Sequence, residues 1–462
     1  MRARDRGAPV RRPESCQDAY GVVTGEGRSC DPLQSTRYNL LMRFTAALVV
    51  LVVLIINSAV LSQNAASSEP KSVTVPITID QGRVVIDVAI PLSDGTTESV
   101  RGWIDNGNPD LAMNRRVAGL MGLGVNCNGQ ICSGTPKSPG VSLEVGIGGM
   151  KILLPPMKQI KIPVSAPAIA PGMSAEINIP STALRNYDVL IDFPDHKFTI
   201  GQPGSLRFNG VKSKMLVNAN NGLIQMPSKI DNKNYDVGLD VGSSISFLSE
   251  ELFDKLSNTH PNWPHMSGAV GPFNTGEFGD EPRWKLMRVD RVQFGPLFLT
   301  DVAVADLPMD RRALVEERAS IPAAGVLSSE ALMNYRVGLD YTHSTVYFDI
   351  GRTSRFPDFD VVGLILRPGL ETGFTIIAVA DFDGKTSVPG VQAGDDLVAV
   401  DDIPVPDSTL GQVWSLLEGF PGQERKLTIE RAGKQFTVVA KVQHFLGDAS
   451  DKDEARGKLK KN

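Results

Sequence analysis

Short apolar runs broken by turn residues recur along most of the chain, and the apolar positions seldom fall at helical spacing. Val73 to Leu92 carries two such runs separated by Asp80-Gln81-Gly82, the signature of a hairpin, and a third run leads into Trp103-Ile104-Asp105. Val141 to Pro155 and Val289 to Ala305 mix apolar and turn residues as paired strands do. Near the C-terminus a short amphipathic stretch at Val413 to Leu417 precedes a second hairpin, Lys426 to Val442, with Ala432-Gly433 at its turn. The pattern predicts a mainly β protein with few, short helices. At 462 residues it exceeds what one core usually organises, which points to several domains.

One stretch is different. Phe44 to Leu61 is almost wholly apolar, with Arg43 before it and a polar linker (63–71) after it. This predicts an N-terminal hydrophobic helix over 44–62 that engages a membrane. Two readings stay open: a signal peptide cleaved near Val60 and Ser62, or an uncleaved anchor. Met42 offers a second start, which would make the preceding tail an over-extension of the reading frame; with the longer start, the Arg-rich tail (1–43) stays in the cytosol. On either reading the residues that follow are expected outside the cytoplasm, periplasmic or anchored to the cytoplasmic membrane.

Composition narrows the partners. A net charge of -5 gives no basic field, which argues against nucleic acid. The five histidines are scattered without ligand spacing, and no metal or other cofactor is expected. Cys127 and Cys132 can close a small disulfide loop in an oxidising compartment; two unpaired thiols are the alternative. The charged stretch 447–462 predicts a disordered tail.

The informative feature is a repeat. Asn186 to Phe193 (NYDVLIDF) and Asn334 to Tyr341 (NYRVGLDY) share one pattern, and upstream of each an apolar run ends in Asp-x-Gly, at Asp105 and Asp240. The spacing makes each copy domain-sized. A lone Asp-Gly is ordinarily a turn. Two in register invite a chemical reading: facing carboxyl groups cannot both ionise, so they share a proton, one acting as base and the other as acid.

Gly238 to Leu256 (GLDVGSSISFLSEELFDKL), Gly102 to Leu123 and the segments that end in the two repeat copies, Ile177 to Phe193 and Ala324 to Tyr341, resemble the pepsin and retroviral-protease superfamily over about residues 72 to 353. The resemblance implies two tandem retropepsin-like, acid-protease β-barrel lobes, 72–203 and 204–353. It also implies an Asp105–Asp240 dyad that hydrolyses polypeptides through an activated water, with Gly107 and Gly242 letting the backbone approach the carboxylates. Asn106 and Val241 replace the family's hydroxyl residues, which removes at least half of the cross-lobe clasp. Asn108 and Pro109 replace small residues, and Ser181 and Ser328 stand where glycine is usual and are expected to crowd the loops. The competing reading is a non-catalytic scaffold that binds peptides in the same cleft. Residues 360–446, with Gly390, Gly394 and Asp395, resemble the PDZ domain of exported bacterial proteases. That resemblance implies capture of protein C-termini by strand addition, with Gly373, Phe374, Thr375 and Ile376 as the peptide-binding loop and strand.

Overall fold

The structure, a computed structural model, describes residues 69–447 except 129–130, 136–142, 156–159, 164–167, 277–278, 308–316, 352–358 and 370–372. The apolar segment at 44–62 and the tail from 448 onward lie outside the described residues. Among the described residues no helix is long and apolar enough to cross a membrane.

Strand formation follows the period-two pattern. In Arg83–Pro91, Val84, Ile86, Val88 and Ile90 are fully buried on one face, and Val85 on the other packs against Ala168, Met173 and Ala175. The hairpin into this strand turns at Gln81 and Gly82, both at positive φ (54° and 72°), the combination a tight two-residue turn requires. The Asp105 strand, Thr97–Asp105, lies between Arg83–Pro91 and Ile177–Pro180, pairing in parallel with the latter so that Pro180 stands opposite Asp105. The arrangement recurs in the second half. Lys233–Asp240 pairs in parallel with Gly325–Ser328, and Ser328 stands opposite Asp240. In each case a strand following a long excursion returns beside the strand that ends in aspartate.

The two copies of the repeat meet. Asp188–Asp192 and Tyr335–Asp340 are antiparallel neighbours at the middle of a six-stranded sheet, with Asp188 opposite Asp340 and Asp192 opposite Arg336. Equivalent residues are offset by a constant amount (336 − 188 = 148; 340 − 192 = 148), so each copy makes the same pairing with the other, as a local two-fold axis requires. One apolar core runs through both halves.

The C-terminal unit is a sheet in the order Leu364–Pro368, Phe374–Val379, Asp396–Val400, Glu424–Arg431, Lys434–Lys441, covered by the helix Leu410–Leu417. It has its own core, including Leu364, Ile376, Val400, Val413, Trp414 and Leu427. A separate cluster joins it to the second half, where Ile245, Phe273, Trp284 and Leu286 pack with Phe359, Ile365 and Phe445. The strand order corrects one sequence expectation. Phe374 and Thr375 are paired on both sides, to Pro368 and Arg367 and to Leu397 and Asp396. The Ile376 N–H donates to the Asp395 carbonyl, and the Ile376 carbonyl accepts from Gly394 N–H. Gly373 donates its N–H to the Pro406 carbonyl. An added strand therefore finds no free hydrogen-bonding edge at Gly373 to Ile376; the edge strands of this sheet are Leu364–Pro368 and Lys434–Lys441.

Candidate active site

Both aspartates end strands, and the chain leaves each through a glycine. The two loops interleave. A Cβ on Gly107 would collide with the Asp240 carboxylate, and a Cβ on Gly242 would lie 2.8 Å from Asp105 Cα, 2.8 Å from the Ile104 carbonyl oxygen and 3.1 Å from Asp105 Oδ1. Each glycine thus backs onto the opposite aspartate, which brings the Asp105 and Asp240 loops into one site.

The Asp240 loop is held from the first half chiefly by one side chain. Asn106 is fully buried; its Nδ2 donates to the Leu239 carbonyl (2.8 Å) and its Oδ1 accepts from Val241 N–H (2.7 Å). Those bonds bracket Asp240. The hydrophobic Val241 side chain returns no bond, as its chemistry dictates, but its backbone takes part. From the same side Trp103 Nε1 donates to the Gly242 carbonyl (2.9 Å). At Asn106 and Val241 the clasp is therefore one-sided, with both side-chain bonds supplied by Asn106.

The expected crowding by Ser181 and Ser328 is replaced by tethering. Ser181 Oγ donates to the Asn221 carbonyl (2.7 Å) and lies 3.2 Å from the Asn108 carbonyl, and Ser328 Oγ pairs with Ser246 Oγ (3.1 Å). A hydroxyl with a partner can occupy a tight buried loop without a desolvation cost. Pro109 leaves its carbonyl to Thr182 Oγ1 (2.8 Å), while Asn108 Oδ1 accepts from Asp110 N–H (3.1 Å).

The carboxylates differ. Asp105 is 2% exposed and Asp240 partly exposed. Burial, and then the nearby charge of Asp240, push Asp105 up to about 8; Asn178 Nδ2, donating to Asp105 Oδ2 at 3.0 Å, opposes this. Burial also raises Asp240, to about 6, against the backbone N–H groups of Gly242 (2.9 Å) and Ser243 (3.2 Å), which donate to Oδ1. Backbone amides of Gly242, Ser243 and Gly107 hold the Asp240 anion, while Asp105, held by the side chains of Asn178 and Asn108, also carries the opposing charge of Asp240. The arrangement therefore favours a protonated Asp105 beside an ionised Asp240.

Three contributors were not foreseen from sequence. Asn178 is fully buried inside an apolar strand and holds Asp105, the Asp110 carbonyl (3.0 Å) and the Ala112 N–H (2.8 Å); a lone Asn within INIP was its only signal. Arg83, buried and 5.1 Å over the Trp103 ring, lowers both carboxyl groups through its charge. Tyr341, in the residue that closes the second repeat, has a buried hydroxyl held above its usual range by burial and then by the Asp240 charge.

Elsewhere, Cys127 and Cys132 face each other across paired strands and are joined by a disulfide. Among the described residues no three His, Cys, Asp or Glu side chains converge as metal ligands would. A cavity of about 820 Å³ lies in the seam between the C-terminal unit and the rest, lined by residues including Gln81, Arg288, Trp414 and Glu418; neither aspartate lines it.

No protein-family model matches this chain, and no curated protein matches it. Among solved structures, the chain is similar to the aspartic proteinase from Irpex lacteus, at 12% sequence identity and a TM-score of 0.36, covering 61% of this chain and 98% of that one.

Proposed function

We propose that the chain is an aspartic-type endopeptidase acting outside the cytoplasm. The observation that carries this reading is the reciprocal packing of Gly107 on Asp240 and Gly242 on Asp105, which assembles two carboxyl groups of unequal basicity in one buried site. In the proposed reaction ionised Asp240 takes a proton from a water molecule, whose oxygen attacks the scissile carbonyl carbon. Protonated Asp105 donates its proton to the carbonyl oxygen, giving a neutral tetrahedral diol. Collapse of the diol then breaks the C–N bond. The nitrogen receives the proton held by Asp240 and a hydroxyl proton returns to Asp105, restoring both groups without a covalent enzyme intermediate or a cofactor.

Substrate is proposed to be an extended polypeptide lying between the halves. The apolar segment at 44–62 underlies the proposal of export, as leader or anchor. The C-terminal unit is proposed to be a PDZ-like module, on the likeness of Val388 to Val405 to that family's turn and strand.

The deciding experiment is cleavage of a peptide library by the purified full-length chain in detergent, from pH 3 to 9, against Asp105→Asn and Asp240→Asn. The expected result is cleavage reduced at least about a thousandfold in both variants. A wild-type chain that folds and binds peptides but cleaves none would replace this reading with the non-catalytic scaffold, which the one-sided clasp at Asn106 and Val241 favours.

A further inference from the structure

A groove between a sheet edge and a helix is where a PDZ-like unit would take a peptide strand. Here that position is filled from within. The side chain of Asn274, from the second half, lies against the edge strand Leu364–Pro368: its Oδ1 accepts from Leu366 N–H (2.7 Å) and its Nδ2 donates to the Leu366 carbonyl (2.9 Å). These are the two bonds that a strand residue would make. The helix side is closed as well, with Trp414 Nε1 donating to the Asn274 carbonyl (3.4 Å) and Gly276 tight against Pro368 and Leu410.

The occupant is a built element. Glu281 is fully buried, and its Oε1 accepts from Thr275 N–H (3.0 Å), Thr275 Oγ1 (2.8 Å) and Gly276 N–H (2.9 Å), pinning the segment that carries Asn274. Asn274 itself is completely buried.

From Asn274 a continuous set of contacts runs to the dyad. Gln81 Nε2 donates to the Asn274 carbonyl. Gln81 and Gly82 form one tight turn, and the Gly82 carbonyl accepts from Ser329 Oγ. Ser329 Oγ also contacts the Ser243 carbonyl (2.6 Å), and Ser243 N–H donates to Asp240 Oδ1 (3.2 Å). The steps join residues 193, 247 and 86 positions apart, so the set exists only through tertiary contact.

We propose that the edge strand of the C-terminal unit is a positioning device for Asp240. Leu366 holds Asn274, Asn274 holds the Gln81–Gly82 turn, and Ser329 transfers that position to the Ser243 amide on the Asp240 carboxylate. Asn274, Gln81 and Ser329 are positioning residues, and the groove serves the protein's own chain instead of a foreign C-terminus. The inference rests on Asp240 being one of the working pair, but its test does not need turnover.

The experiment is a carboxyl titration of the full-length chain in detergent, labelled with 13C at the aspartate side-chain carbon, with the Asp240 resonance identified by its loss in Asp240→Asn. Asn274→Ala, Ser329→Ala and the double variant are compared with Val439→Ala, an exposed site on the far edge of the C-terminal sheet. Relaxing the Ser243 amide removes a donor to the anion, so the Asp240 midpoint is expected to rise by about half a pH unit or more in either single variant, with Val439→Ala unchanged. Because both residues act on one carboxylate through one contact set, the double variant is expected to shift no further than the larger single. An unmoved midpoint in variants that retain wild-type circular dichroism, or strictly additive shifts, would overturn the proposal. If Asn274→Ala does not fold, Ser329→Ala and Gln81→Ala carry the same test. A chain that shows the shift but cleaves no peptide keeps this inference and loses the peptidase reading.

Discussion

Asp105 and Asp240 end similar strands, yet their surroundings differ. Asp105 is sealed and has Asn178 for support; Asp240 is more open and has two backbone amides. With Asp240 raised to about 6 and Asp105 to about 8, the state of one ionised and one protonated group, which the proposed reaction requires, is most populated between those values. Cleavage is therefore expected to rise through pH 6 and fall through pH 8, read as a bell-shaped dependence of kcat/KM. An optimum near pH 3 would show that the pair ionises as exposed carboxylates do. The stability consequence has a definite sign. Both pKa values are raised above the ordinary 3.8, so the folded state holds protons that the unfolded state releases, and stability falls as pH rises from about 4 to about 8. Asp105→Asn is expected to stabilise the protein at pH 8 relative to wild type and to make little difference at pH 4, measured as Tm at each pH. Asn106 carries a separate expectation: Asn106→Ala leaves the Leu239 carbonyl and Val241 N–H without their partner in a closed site, at a cost of about 2–4 kcal/mol in denaturant unfolding. A cost below about 1 kcal/mol would mean the halves do not depend on this clasp. Asn106 was legible as the residue after Asp105; that its amide bonds to backbone on both sides of Asp240 was not, because both partners lie across the site.

At the scale of elements, local chemistry was largely readable. Asp80-Gln81-Gly82 and Ala432-Gly433 form the turns their residue types suggest, and the amphipathic stretch at Val413 to Leu417 lies in the helix Leu410–Leu417. The edge of the C-terminal sheet was misassigned. Gly373 to Ile376 has the composition of a loop leading into a strand, but edge status depends on which strands flank it, and the flanking residues 364–368 and 396–397 are separated from it in sequence. The helix also shows one residue doing two tasks. Thr409 Oγ1 caps the helix by accepting from Gln412 N–H (3.2 Å) and donates to Asp80 Oδ1 (2.9 Å) beside the hairpin turn. Thr409→Val is expected to cost about 2–3 kcal/mol, a cap plus a bond to a carboxylate, measured by urea unfolding. A loss near 1 kcal/mol would indicate that only the cap matters.

For the whole molecule, the C-terminal unit is joined to the rest by an apolar cluster as well as by the Asn274 contacts. Phe273, Trp284 and Leu286 on one side meet Phe359, Ile365 and Phe445 on the other, and side chains of this size contribute about 1.5–3 kcal/mol each when buried. A chain ending at Gly351 would expose that face. It is expected to aggregate or to unfold well below the full-length protein, and the full-length protein to show one calorimetric transition for both parts; two resolved transitions would make the unit an independent attachment.

By itself the sequence determined the mainly β character, the hairpins, the repeat and the two Asp-x-Gly loops, because turn chemistry and period-two burial act between neighbours in the chain. It also placed the repeat copies in equivalent roles, which the structure realises as strands paired about a local two-fold axis. Tertiary structure alone decided the rest: which strand is an edge, how Gly107 and Gly242 reach across to the opposite aspartates, how Asn178 and Arg83 tune the carboxyl groups, and how Leu366 is linked through Asn274 and Gln81 to the Asp240 loop. Burial, charge proximity and hydrogen-bond partnership are properties of neighbours in space, and for these residues the neighbours lie tens to hundreds of positions away along the chain.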